Sequence, residues 1–108
     1  MIMVRAIIRP DKQEEVLYEL SSAGFNAATI VDVVGRGKQK GITFDGIIYD
    51  EIPKSLLMMV INDDDKDDVL DVILQYAKTG ENGAFGDGKI FISPVDEVYT
   101  ISSSIAGL

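Results

Sequence analysis

Two strand–helix–strand units follow one another along this chain, and their order restricts the possible folds more than any other feature. The first unit is predicted by an aliphatic strand over Met1–Arg9, an amphipathic helix that stops at Gly24, and a second strand over Ala27–Val34. The second unit begins with the continuous apolar run Leu56–Ile61, which is typical of a central strand covered on at least one face. This order predicts an α+β fold, the ferredoxin-like βαββαβ sandwich.

Acidic residues are expected to begin both helices. Asp11 is predicted to be the N-cap of the first helix, with Glu14 completing a capping box, and the cluster Asn62–Asp65 is predicted to cap the second. The acidic run lacks the glycine and glutamate spacing of an EF-hand, so we interpret it as a helix start rather than a calcium site. Short strands are expected around Lys89–Ser93 and Glu97–Ile101.

Composition excludes several classes of function. The chain has 108 residues, no Cys, no His and a formal net charge of −8. The length suits one domain over residues 1–108, and the missing residue types exclude thiolate catalysis, disulfides and histidine-based mechanisms. The acidic balance argues against general binding to nucleic acids or anionic membranes. Because no apolar stretch could span a membrane and Met1–Arg9 is too charged for a signal peptide, we expect a cytoplasmic protein.

Two glycine-rich basic segments predict an anion site. The first is Gly35-Arg36-Gly37-Lys38-Gln39-Lys40-Gly41, and the second is Gly80-Glu81-Asn82-Gly83-Ala84-Phe85-Gly86-Asp87-Gly88-Lys89. Glycines let backbone N–H groups converge on an anion, and the basic side chains supply countercharge. Neither segment completes the dinucleotide fingerprint or the Walker A motif. Between them, residues 35–55 are expected to form a long excursion, with Lys54 at the junction between loop and strand.

Taken together, these segments resemble the PII signal-transduction family. The first segment is similar to the entry of that family's T-loop, here about 36–55, and Thr79-Gly80 with Gly86–Phe91 is similar to its B-loop, here about 79–89. The resemblance covers essentially the whole chain. Tyr49–Lys54, Gly83-Ala84-Phe85 and Ser93-Pro94-Val95 further resemble the nitrogenase-associated PII-like regulators of diazotrophic archaea and anaerobic bacteria.

The resemblance implies a trimer that binds ATP or ADP between subunits, with 2-oxoglutarate chelating a Mg²⁺ held by the ATP phosphates. The implied nucleotide-binding residues are Thr29, Gly35, Gly37, Lys38, Gln39, Gly86, Asp87, Gly88 and Lys89. The implied 2-oxoglutarate residues are Gln39, Gly41 and Lys54, and Gln39 is also the implied Mg²⁺ ligand. Lys40 and Tyr49 are the implied partner contacts.

Three departures from the family pattern bear on this assignment. The two arginines that usually grip phosphates from the last strand are replaced by Thr100 and Ser102, which weakens nucleotide binding or transfers the task to Arg36 or a partner subunit. The usual arginine of the first loop is Lys38, which keeps the charge without bidentate geometry. The T-loop is shorter than usual, so Tyr49 does not align with the uridylylated tyrosine of the family and uridylylation is not expected.

The sequence thus predicts a non-enzymatic nitrogen regulator that senses 2-oxoglutarate and ATP or ADP. The implied partners are a nitrogenase component, bound directly, and a sister PII-like subunit, in a homotrimer or hetero-oligomer. The alternatives are a PII paralogue that regulates ammonium transport or glutamine synthetase, and a small ATP-using enzyme revealed by ATP turnover. A CutA-type metal-tolerance protein, which would not bind nucleotide, is a further alternative.

Overall fold

Four antiparallel strands form the main sheet of the chain. The computed structural model describes residues 1–36, 42–44, 47–49 and 51–108. The sheet consists of β1 (Ile2–Ile8), β2 (Thr29–Gly35), β5 (Ile52–Ile61) and β6 (Gly88–Pro94), and a separate hairpin consists of β3 (Ile42–Phe44) and β4 (Ile47–Tyr49). The strand order β2-β5-β1-β6, with every neighbour antiparallel, confirms the predicted ferredoxin-like α+β fold.

Two helices cover one face of this sheet. They are α1 (Gln13–Ser22) and α2 (Lys66–Ala77), and α1 ends before Gly24 as predicted. The buried core between the helices and the sheet consists of Val4, Ala6, Ile8, Val16, Leu20, Leu57, Met59, Ile61, Val69, Ile73 and Ala77. Alternate residues of β5 are buried toward the helices, so the apolar run Leu56–Ile61 forms a strand that the helices cover on one face. Among the helices of the described residues, none is long and apolar enough to cross a lipid bilayer.

The predicted cap of α1 is wrong, because Lys12 and not Asp11 holds the N-cap position, whereas Asn62 and Asp65 of the predicted cluster do hold the N-cap positions before α2. Pro10–Lys12 and Asp63–Asp65 form 3₁₀ turns in front of α1 and α2, and no side-chain cap hydrogen bond is made at the start of either turn or either helix. Because Pro10 already has helical geometry, Asp11 lies inside the turn and cannot act as the N-cap. Asp63 instead pairs with the amino group of Met1 at 3.0 Å.

The long excursion is shorter than the sequence predicted. Strand β5 begins at Ile52, where it pairs with Gly35, so residues 52–55 belong to the sheet rather than to the loop 36–55. Lys54 therefore lies within a strand, opposite Val33, and not at a junction. The pairing with β2 supplies backbone hydrogen bonds that extend the strand through a polar, proline-containing stretch.

The predicted last strand, Glu97–Ile101, is also reduced. Only Tyr99–Thr100 forms a strand, β7, and it pairs with β8 (Ile105–Ala106) in a small C-terminal hairpin that is separate from the main sheet. The turn between them is closed by a bond from the Ser104 N–H to the Thr100 carbonyl at 2.8 Å. Both Thr100 and Ser102 are exposed on this hairpin.

Candidate ligand site at the B-loop

The segment predicted as the B-loop, residues 79–89, follows α2 and includes the first two residues of β6, Gly88 and Lys89, and it is organised around one carboxylate. Oδ1 of Asp87 accepts a hydrogen bond from the Thr79 hydroxyl at 2.6 Å, and Oδ2 accepts the backbone N–H groups of Thr79 at 3.0 Å and Ala84 at 2.8 Å. The Asp87 N–H donates to the Ala84 carbonyl at 3.2 Å. One side chain thereby joins the start of the loop to its middle and to its end.

These bonds favour the ionised form of Asp87. Partial burial of the carboxyl raises its pKa, but the hydrogen bonds from Thr79, Ala84 and Arg9 outweigh that effect and hold the pKa well below its usual range. Asp87 is therefore a carboxylate at any physiological pH. Its negative charge is directed into the loop, because its partners are all loop donors or the Arg9 guanidinium.

Arg9 ties the loop to the end of β1. Its Nε donates to Oδ1 of Asp87 at 2.9 Å, and its Nη2 donates to the Phe85 carbonyl at 2.6 Å. The planar guanidinium can make both bonds at once because its donors point in fixed, diverging directions. The two contacts connect residues that are 78 and 76 positions apart in the chain.

A second cation reaches the same loop from β5. The Nζ of Lys54 donates to the Gly86 carbonyl. Partial burial lowers the pKa of Lys54, and the nearby positive charge of Arg9 lowers it further, while Asp87 and Asp11 act in the opposite direction. Within the described part of the chain, no carboxylate forms a salt bridge with Lys54. Among the described residues its direct hydrogen-bond partner is a carbonyl and not a carboxylate, which suits Lys54 to receive an anionic ligand.

The sheet register brings a third cation to this end of the sheet. Lys54 and Leu56 share one face of β5, Leu56 pairs with Ile7, and Ile7 pairs with Lys89. Arg9 follows Ile7 by two residues in an extended conformation, so it belongs to the same face. The face is the one that α1 and α2 leave uncovered.

Four of the ten basic residues of this acidic chain lie at one end of the sheet. Arg36 directly follows the end of β2, and the others are Arg9, Lys54 and Lys89.

Two B-loop positions require glycine. Gly88 has φ +109°, and a Cβ there would lie 1.6 Å from the Ile7 carbonyl oxygen, so only glycine lets the loop enter β6 beside β1. Gly86 has φ +89°, and a Cβ there would lie 3.2 Å from Nη2 of Arg9 and 3.7 Å from Nζ of Lys54. The glycine at 86 thus leaves room for two cations to approach the loop backbone.

An apolar cleft of about 720 Å³ adjoins the loop on its helix side. Its walls include Leu70, Ile73 and Leu74 of α2, and its rim includes Lys78 and Lys89. Among its described lining residues neither Arg9 nor Lys54 occurs, so the cleft and the cation cluster meet only through the B-loop and Lys89. The candidate ligand site is the cation cluster and not the cleft, because the cluster contains Lys54, which has no carboxylate in a salt bridge among the described residues.

The structure brings some predicted site residues together and not others. Lys54 and the segment Gly86–Lys89 form one cluster. Gly35 ends β2 opposite Ile52, near the same end of the sheet, whereas Thr29 lies four residues from the partner of Lys54, about 13 Å along the strand. Tyr49 ends β4. The predicted residues Gly37, Lys38, Gln39, Lys40 and Gly41 lie outside the described residues.

Sequence reasoning missed the roles of Arg9 and Thr79. Thr79 occurs in a segment that carries the family resemblance, but neither residue was a candidate site residue. The signal that could have found Arg9 is its position directly after an apolar strand, since a charged residue there lies at the end of the sheet. Its partner, however, is distant in the sequence and no local pattern points to it.

Comparison with known proteins agrees with this architecture. The family model described as nitrogen regulatory protein P-II matches residues 1–104. The chain is 53% identical over 108 residues to the nitrogen fixation nifHD region glnB-like protein 1 of Methanococcus maripaludis strain S2, with 100% of both chains covered. It is 55% identical over 108 residues to the protein of the same description from Methanobacterium ivanovii, again with 100% of both chains covered.

A more general relative gives the same result. Nitrogen regulatory protein P-II 2 of Methanothermobacter thermautotrophicus is 47% identical over 106 residues, which cover 94% of this chain and 90% of that protein. The predicted resemblance is confirmed, and so is its branch, since the relatives from nif regions match the chain over its full length. The chain belongs to the P-II family of nitrogen regulatory proteins, within the group of GlnB-like proteins of nitrogen-fixation regions.

Proposed function

We propose that this nitrogen regulator senses 2-oxoglutarate together with ATP or ADP and controls nitrogenase by binding it directly. The observation that carries the proposal is Lys54, whose ammonium is held against the Gly86 carbonyl without a carboxylate partner among the described residues. Arg9 and Lys89 share its face of the sheet. In a chain of net charge −8, such a cluster favours a dianionic or polyphosphate ligand.

The donor set fits the ligands that the family resemblance implies. Lys54 is suited to pair with one carboxylate of 2-oxoglutarate, and Lys89 with the backbone of the B-loop is suited to hold nucleotide phosphates. The bound nucleotide supplies phosphate oxygens for a Mg²⁺ ion, with Gln39 as the proposed protein ligand. The protein's own part is to hold these charges at fixed positions and to change its surface when they are filled.

The proposed response passes through the segment between β2 and β5. Lys54 lies two residues after the start of β5 at Ile52, so a ligand that draws Lys54 away from the Gly86 carbonyl acts at the base of that segment. A preference for one arrangement of the segment of about 1–3 kcal/mol is enough to couple ligand binding to partner binding. We propose that low 2-oxoglutarate favours the inhibitory complex with nitrogenase. The nif-region names of the relatives support nitrogenase over ammonium transport as the target.

The proposed oligomer is a trimer, formed from this chain alone or with a sister PII-like subunit. It is supported by the sheet face opposite the helices, on which Met3, Ile7, Leu56, Met58, Val60 and Phe91 lie in register on three adjacent strands. Apart from Arg5 at its centre and the cations at one end, these residues make the face apolar, and an apolar surface that the domain itself leaves uncovered is typical of a protein–protein interface. A neighbouring subunit could also supply the phosphate contacts that the exposed Thr100 and Ser102 do not.

Calorimetric titration of 2-oxoglutarate, with and without Mg-ATP, tests the proposal. We expect binding only when Mg-ATP is present, and a roughly ten- to hundredfold weaker affinity in Lys54→Gln, because an ionic hydrogen bond to the ligand is lost. Lys66→Gln is the matched control, since it removes the same charge from the exposed start of α2. Unchanged affinity in Lys54→Gln would remove Lys54 from the site.

The partner is tested separately. Purified nitrogenase components are mixed with the protein in Mg-ADP and in Mg-ATP plus 2-oxoglutarate, and complexes are separated by size. A complex that dissociates when 2-oxoglutarate is added supports the proposal. Steady ATP turnover without any such complex would favour the alternative of a small ATP-using enzyme.

A further inference from the structure

We propose that Arg9 and Asp87 are a positioning pair, which shapes the B-loop for the nucleotide phosphates without contacting them. The inference rests on the proposed function, since it names how the nucleotide part of that site is built. It also changes the role of Asp87, which the resemblance alone would place among the nucleotide-binding residues.

The first argument is that the carboxylate and the backbone N–H of Asp87 are already used within the loop. Its two carboxylate oxygens accept four hydrogen bonds, two from Thr79, one from Ala84 and one from Arg9. Its backbone N–H is donated to the Ala84 carbonyl. A carboxylate that pointed at a phosphate would also repel it, whereas one directed into the loop is neutralised by its donors.

The second argument is that Arg9 links two rigid parts of the molecule. Its backbone follows β1, which pairs with β5 and β6, and its guanidinium holds Asp87 and the Phe85 carbonyl. Both nitrogens that make these bonds, Nε and Nη2, therefore donate to the loop. The bonds fix residues 85–87 relative to the strand that carries Ile7, and this sets where Gly88 and Lys89 enter the sheet.

The third argument concerns Lys54. Its Nζ reaches the Gly86 carbonyl, and Gly86 lies between the two loop residues that Arg9 holds. If the loop moved away from β1, the Gly86 carbonyl would leave Lys54 as well. The Arg9–Asp87 pair thus sets the distance between the two halves of the proposed site, the cation from β5 and the loop.

The experiment combines amide hydrogen exchange with calorimetry on the full-length protein. The variants are Arg9→Gln, Arg9→Lys, Asp87→Asn and the double variant Arg9→Gln/Asp87→Asn. The control is Lys66→Gln, which also removes one positive charge but from the exposed start of α2, away from the B-loop and the sheet face. The probes are Mg-ATP and Mg-ADP.

We expect Arg9→Gln and Asp87→Asn each to speed amide exchange across residues 79–89 in the ligand-free protein, while exchange in β1 and β5 stays unchanged. Each should weaken nucleotide binding about tenfold, and the double variant should lose less affinity than the two single effects combined, because both changes break the shared Arg9–Asp87 contact. Arg9→Lys should restore part of the affinity, since an ammonium can pair with Asp87 but cannot also hold the Phe85 carbonyl.

Other results would overturn the inference. A direct contact between Arg9 and the nucleotide would lower affinity without faster exchange in the free loop, and would add to the effect of Asp87→Asn. Unchanged exchange in both single variants would show that the pair does not order the loop, whatever the wild type binds. If the wild-type chain bound neither nucleotide, the proposed function would fail at this site and the ligand part of the inference with it.

Discussion

At the scale of single residues, Lys54 combines a strand position with the chemistry of a ligand group. Partial burial and the charge of Arg9 lower its pKa below the ordinary value of 10.5, so the free protein loses this proton earlier as pH rises. A ligand carboxylate stabilises the ammonium, so 2-oxoglutarate binding should weaken on the alkaline side at a lower pH than an ordinary lysine would give. Calorimetry across pH 7 to 10 measures this, and proton uptake on binding should appear as a dependence on buffer ionisation enthalpy.

The same lowered pKa has a consequence for stability. Because the folded-state pKa lies below the unfolded value, charged Lys54 opposes folding at neutral pH, and that cost disappears as pH rises from the folded-state pKa toward 10.5. Lys54→Gln should therefore lose this alkaline gain while keeping the rest of the pH profile. An identical alkaline profile in the variant would mean that Lys54 is fully solvated.

Gly88 offers a test of backbone packing with a closely matched control. Gly88 and Gly107 have nearly the same φ, +109° and +110°, but a Cβ at Gly88 would lie 1.6 Å from the Ile7 carbonyl oxygen and one at Gly107 meets nothing within 4 Å. We expect Gly88→Ala to lower the free energy of unfolding by about 3 kcal/mol or more, and Gly107→Ala by about 1 kcal/mol. Urea denaturation of both variants measures the difference. Equal effects would show that strain in φ, and not the close approach, explains the glycine.

At the scale of elements, the sequence predicts a helix or strand that follows from its own residue pattern, and it misses a strand that forms only by pairing with another strand. The run Leu56–Ile61 was sufficient to identify the C-terminal half of β5, because a short continuous apolar run is typical of a central strand. The half that contains Pro53 and Lys54 resembles a loop, and only pairing with β2 makes it a strand. The predicted cap of α1 failed for a local reason, since the turn that Pro10 begins incorporates Asp11, the residue expected to cap that helix.

In the candidate site too, residues that belong to a local pattern were predicted, and a contact between distant residues was not. Glycines and lysines close together in sequence predicted the B-loop and its Lys89, and a cation near the end of the long segment pointed to Lys54. The Arg9–Asp87 contact joins positions 78 residues apart, and its existence depends on β1 and β6 being neighbours. The strand order could be predicted from the βαββαβ pattern, but the approach of two particular side chains could not.

The B-loop should respond to acid through Asp87. Its folded-state pKa is depressed, so it stabilises the protein above the unfolded pKa of about 3.9, and this contribution is lost as pH falls below that value. At pH 7 we expect Asp87→Asn to cost about 1 kcal/mol, because the group is partly solvated. The difference from the wild type should shrink at pH 3. Urea denaturation at both pH values measures it, with Asp64→Asn before α2 as an exposed control. A difference that is the same at pH 3 would assign the effect to shape and not to charge.

At the scale of the whole molecule, charge and apolar surface are separated. Acidic residues populate α1, α2 and the turns in front of them, while Arg9, Lys54 and Lys89 lie at one end of the sheet face that the helices leave uncovered. A net negative surface repels anions, so an anionic ligand is attracted to a local cluster of opposite sign. If three copies join through their sheet faces, that region comes to lie at the boundary between subunits.

Met58 tests this arrangement. It lies on the uncovered face of β5, opposite Arg5 of β1 and Thr29 of β2. Met58→Glu places a charge where a subunit interface would bury it, at a cost of several kcal/mol per subunit, so we expect a folded monomer in place of the proposed trimer. Tyr18→Glu, on the exposed surface of α1, should leave the mass unchanged. Light scattering after size exclusion gives the masses, and circular dichroism verifies folding.

Because the proposed nucleotide cleft lies between subunits, the Met58→Glu monomer should also lose Mg-ATP binding, while amide exchange in its B-loop stays that of the wild type. A trimer that persists in Met58→Glu would place the subunit interface elsewhere and leave the apolar face for a different partner.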